Sequence, residues 1–98
     1  MIFIEVELAH AIVVKKFRNF EEGKETVENQ QPSRWSNPAL IVVDEKEWKT
    51  FRYTGEREIF HFGDFDTLPV VAIPNYDFGY GNRYREVIEE NRKRFGLT

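Results

Sequence analysis

The sequence contains no cysteine, which excludes a disulfide framework, a thiolate metal site and a cysteine nucleophile. A reducing, cytoplasmic setting is the expectation that follows. Methionine occurs once, while charged residues make up 32% of the chain, a balance that leans towards a heat-adapted source. Long apolar runs are also missing. Glu5 and Glu7 interrupt the most apolar stretch of the first twenty residues and no small-residue cleavage pattern follows, so neither a signal peptide nor a membrane span is expected. A surplus of positive charge is lacking too, since the formal net charge is −3, and this opposes a wide basic surface for coating duplex nucleic acid. There is no internal repeat or low-complexity tract, which sets solenoid and fibrous readings aside.

What is present suits one folded domain. The 98 residues are too few for two ordinary cores, and nine phenylalanines, four tyrosines and two tryptophans are enough to fill one without staples. Ile2, Ile4, Val6 and Leu8 alternate with Phe3, Glu5 and Glu7, the period of a strand with one buried face. Ala9 to Phe20 fits either a strand or a helical face, and with no turn residue before it the reading prefers a long or bent strand. Residues 21–38 are polar, with Val27 and Trp35 the only large apolar side chains, and are expected to form a mobile loop.

Two unbroken apolar runs then stand out, Ala39 to Val43 and Val70 to Ile73, the second bracketed by Pro69 and Pro74. Both read as central strands. Asp44 and Glu47 have the spacing of a helix cap and its reciprocal partner, which predicts a short helical turn carrying Trp48 and Phe51 up to Gly55, with a hairpin through Trp48, Phe51 and Tyr53 as its rival. Arg57 to Phe62 alternates as a strand. Tyr84, Val87, Ile88, Asn91 and Phe95 form a helical stripe, with Val87 and Ile88 expected in the core, and Gly96 supplies the stop. The architecture predicted is α+β, a single small domain with a mixed sheet of four to five strands and a C-terminal amphipathic helix packed on one face.

Chemistry-bearing residues are sparse. His61, Asp64 and Asp66 form an H-x-x-D-x-D cluster that has the donors for a divalent cation, although the aspartates suit turn positions equally well. Asp44, Glu47 and Lys49 have the residue types of restriction-type nuclease sites, but here they crowd into one turn, and the capping reading is preferred. His10 lies in an apolar segment, where a structural role is expected. The stretch from Pro74 to Arg85 leads a buried strand into a helix through Asn75, Tyr76, Asp77, Phe78, Gly79, Tyr80 and Gly81, beside Arg83 and Arg85. It is not a dinucleotide fingerprint, because Tyr84 occupies the third glycine position, and Asn82 has the chemistry of a simple helix cap.

By elimination of catalytic sets, the sequence reads as a small non-enzymatic binding or regulatory module without a cofactor. Its working surface is expected to comprise Tyr76, Tyr80, Asn82 and Arg83, joined by Arg34 and Trp35, and to take single-stranded nucleic acid or a nucleotide. The same aromatics and arginines would also serve a homodimer contact. The rival class is a metal-dependent nuclease or phosphodiesterase using His61, Asp64 and Asp66.

Overall fold

The strand β3, Pro38–Val43, is buried at all six positions and anchors the architecture. In the computed structural model the described residues are 1–10, 12–31, 36–46, 52–54, 57–59, 69–74 and 79–97, with the backbone alone described at 52–54, 57–59 and 79–84. Around β3 lie β1 (Ile2–Glu7), β2 (Ile12–Phe17), β4 (Arg52–Thr54), β5 (Arg57–Ile59) and β6 (Val70–Ala72). Two helices are delimited among the described residues, α1 (Phe20–Glu28) and α2 (Gly79–Arg94). The strand order is β4-β5-β2-β1-β3-β6 and every pairing is antiparallel. The protein is therefore a small single α+β domain, and the mixed sheet expected from the sequence is corrected to an antiparallel one. An unbroken apolar run marks burial on both faces, which in β3 comes from its neighbours and not from parallel pairing.

Strand alternation sorts the core into two layers. Ile4, Val6, Ala39, Ile41, Val43 and Val70 share one face of the sheet, where Ile88 of α2 joins them. Phe3, Phe17, Leu40, Val42 and Ala72 lie on the other, together with Phe20 and Val27 of α1. β1 is thus buried on both faces, with Phe3 and Glu5 inside as well, whereas its alternation had suggested one. Its place between β2 and β3, under α1, accounts for the difference.

The turn at Leu8–His10 closes the β1–β2 hairpin, so the long or bent strand expected over 9–20 is instead a turn, a strand and the first residue of a helix. The register of that hairpin shifts after Glu5, leaving Val14 as the extra residue of a β-bulge, and Val14 is exposed.

The largest departure is α1, a helix where the sequence suggested a polar loop over 21–38. Asn19 starts it in extended conformation, φ −151° and ψ 169°, and its side chain accepts from the Glu22 N–H at 2.9 Å. Phe20, Gly23 and Val27 make its buried side, and only a glycine fits at the middle position. A Cβ on Gly23 would come within 2.7 Å of Leu40 Cδ1 and 3.1 Å of Phe17 Cδ2. Two apolar side chains and a close backbone approach suffice to dock nine residues.

The C-terminal helix α2 runs along the β6 edge of the sheet. Ile88 of the helix reaches one core layer, and Phe95 and Leu97, just past its end, pack against the other. Asn91 Nδ2 donates to the Val70 carbonyl at 2.9 Å and Arg92 Nε donates to the Val71 carbonyl at 2.8 Å. Successive carbonyls of a regular strand point to opposite sides, but the β3–β6 register shifts between Leu40 and Ile41 and leaves Val71 as the extra residue. The bulge lets the helix cap both and closes an edge that would otherwise invite pairing. Gly96 ends the helix at φ 68°, with Leu97 N–H bonded to the Arg92 carbonyl and Gly96 N–H to that of Lys93, the paired bonds of a Schellman stop. Arg85, Glu86, Glu89, Glu90, Lys93 and Arg94 remain exposed, a solvated face, while Val87 is only half-buried.

After β3, Glu45 and Lys46 are helical, in line with Asp44 as the residue that starts a turn. The rest of that expected turn, Glu47 to Phe51, lies outside the described residues. The competing hairpin is present in part, as β4 pairs with β5 through Thr54 and Arg57.

Candidate functional site

The start of α2 is built by a strand that ends at Ala72, a half-buried Ile73 and a buried Pro74, after which the helix begins at Gly79. The first backbone N–H groups of any helix lack an intrahelical acceptor, and aligned peptide dipoles place about half a positive charge there. The starts of α1 and α2 differ in their acidic residues. At α1 the Asn19 side chain takes one donor, and Glu21 and Glu22 set negative charge over the others. The first turn of α2 holds no acidic residue. Phe78, which precedes Gly79 in sequence, has no polar side-chain atom with which to cap. Glycines at 79 and 81 leave the backbone of this turn without Cβ atoms at two positions.

Among the sequence-predicted residues, Tyr80, Asn82 and Arg83 fall in the first two turns of α2. By helical register positions 80 and 83 lie three apart on one side of the helix, and position 82 does not share it. Asn82 is the fourth helical residue, one turn past the position of a cap. Tyr76, Arg34 and Trp35 lie outside the described residues, as do His61, Asp64 and Asp66 of the alternative metal site. Among the described residues no group of three or more histidine, cysteine, aspartate or glutamate side chains is placed to hold a metal ion. No helix of the described residues is long and apolar enough to cross a membrane.

A second polar centre was not foreseen from the sequence. The Glu7 carboxylate accepts the Ala9 N–H at 3.1 Å and the Asn37 N–H at 2.7 Å on Oε1, and the His10 N–H at 2.8 Å on Oε2. The His10 Nδ1 bonds the same Oε2. His10 itself is exposed, in place of the apolar setting its neighbours suggested, with 58% of its side chain open to solvent. Burial pushes the Glu7 carboxyl up, but the bonds from Asn37, from the His10 ring and from the Ala9 and His10 amides outweigh it and leave the group below its ordinary value. The signal available in sequence was a carboxylate just before a segment with no glycine, proline or asparagine to turn on, since Glu7 does that work by bonding backbone two and three residues ahead.

No protein-family model matches the chain, and neither the curated proteins nor the solved structures give a significant match.

Proposed function

We propose that this protein is a small binding module whose ligand is anionic, single-stranded nucleic acid or a nucleotide, received at the start of α2. The observation that carries the reading is the contrast between the two helix starts: α1 is capped and covered with acidic residues, and the first turn of α2 contains none. An anion gains from the N–H donors and the helix dipole at the start of a helix. Arg83 and Arg85 add positive charge within two turns, and Tyr80 offers a flat ring of the kind on which a base stacks. Tyr76, just before the helix in sequence, has the same chemistry, and the proposed surface includes Arg34 and Trp35 as well. The net charge of −3 disfavours broad phosphate contact, so a single strand, for which stacking supplies roughly 1–3 kcal/mol per base, suits the module better than a duplex.

The test is fluorescence anisotropy with a labelled oligothymidylate at low salt, comparing wild type with a Tyr80→Ala, Arg83→Ala double variant. Salt-sensitive binding that the double variant loses, at unchanged mass in light scattering, supports the ligand site. A fall in mass for the double variant assigns these residues to a self-association contact. Absence of wild-type binding to the oligonucleotide and to nucleotides at low salt overturns the nucleic-acid reading.

A further inference from the structure

We propose that Glu7 is an acid-sensitive latch that joins the β1–β2 turn to the start of β3, independently of any ligand at α2. One carboxylate gathers the amides of Ala9 and His10 in its own turn and that of Asn37, thirty residues along the chain from Glu7 and just before Pro38. An ionised carboxylate offers both oxygens as acceptors and makes charge-assisted bonds about twice as strong as neutral ones. On protonation the carboxyl loses the charge that strengthens these bonds, and a proton on Oε1 would face only the Ala9 and Asn37 N–H groups, so the three amides lose their common charged partner. Glu5 stands on the same face of β1, and Lys15 of β2 is opposite Glu5. Opposite Glu7 itself are Ile12 of β2 and Pro38 of β3, both uncharged, so His10 is the titratable group in contact with the latch.

The sign follows from the depressed carboxyl. The latch is fully closed above the ordinary glutamate range and opens as pH falls through the lower value held in the folded protein. The bond from the Leu8 N–H to the Asn37 carbonyl, 3.0 Å, does not involve the carboxylate and serves as an internal reference.

Amide hydrogen exchange of the full chain by NMR between pH 7 and pH 3, corrected for intrinsic rates, tests this. The Asn37, Ala9 and His10 amides should lose protection by about tenfold per pH unit below the Glu7 midpoint, as one linked proton requires, while Leu8 and the β3 amides keep theirs. Glu7→Gln should remove the pH dependence and leave the three amides weakly protected throughout. His10→Ala should raise the midpoint and preserve the transition. Protection at Asn37 that persists in wild type until global unfolding, or that is the same in Glu7→Gln, would overturn the proposal.

Discussion

Arg92 of α2 and Glu28 of α1, 64 positions apart in sequence, meet with Nη2 and Oε1 3.2 Å apart, and the pair ties the two helices together at the covered edge of the sheet. The same guanidinium bonds the Val71 carbonyl and lies 5.4 Å from the centre of the Phe20 ring, so one side chain touches α1 twice and β6 once. Lys24 reaches the other Glu28 oxygen at 3.5 Å.

Removing Arg92 should therefore cost more than removing Glu28. Arg92→Ala leaves a strand carbonyl without its donor and loses the ring contact, which together amount to about 2–3 kcal/mol. Glu28→Ala removes a partly exposed ion pair worth about 0.5–1 kcal/mol. Urea denaturation of both variants checks the order. Equal losses would show that the ion pair, and not the carbonyl bond, dominates the contact.

Gly23 makes a second prediction, because its missing Cβ is what admits Leu40. Leu40 is fully buried and cannot retreat into solvent. Gly23→Ala gains about 1 kcal/mol of helix propensity but overfills the contact at a cost of about 1–3 kcal/mol, so a net loss is expected. In a Leu40→Ala background the closest contact is gone and only the 3.1 Å approach to Phe17 Cδ2 remains, so the same substitution should cost less than in wild type. Thermal melts of the four proteins decide it, and a stabilising Gly23→Ala in the wild-type background would contradict the contact.

The third prediction concerns how α1 begins. Asn19→Ala should cost about 1 kcal/mol, with Asn19→Asp close to neutral, since either side chain accepts the Glu22 amide. Circular dichroism melts measure both, and an Asn19→Ala protein as stable as wild type would show that docking alone holds the helix.

Ile88 and Val87 divide the stripe of α2 unequally. Ile88 is 7% exposed within a packed layer, so Ile88→Ala should cost about 2–5 kcal/mol. Val87 is half-buried and its truncation should cost clearly less, as chemical denaturation of the two variants will show.

What the sequence disclosed follows from how each element announces itself. β3, β6 and α2 declared themselves through unbroken or periodic apolar residues, and Gly96 marked its stop correctly. α1 was hidden because one of its three buried positions is a glycine, which periodicity counts as absence although here it is a contact. The cue that existed was Asn19 followed three residues later by Glu22, the signature of a helix start. Edge coverage by α2 depends on a bulge at Val71 that no local pattern encodes. The Glu7 centre depends on Asn37, thirty residues away, and contacts of that span leave no mark in a single sequence. At the candidate ligand site the glycines, Tyr80 and Arg83 were legible as residues, whereas the contrast with the start of α1 required the fold.

Amide chemical-shift mapping during titration with oligothymidylate or a nucleotide addresses the central claim most directly. A ligand at the start of α2 should give the largest, salt-sensitive perturbations at the Gly79, Tyr80, Gly81 and Asn82 amides, with the Glu21 and Glu22 amides of α1 unmoved. Perturbations centred on the start of α1 or on the Glu7 turn, or none at low salt, would contradict it.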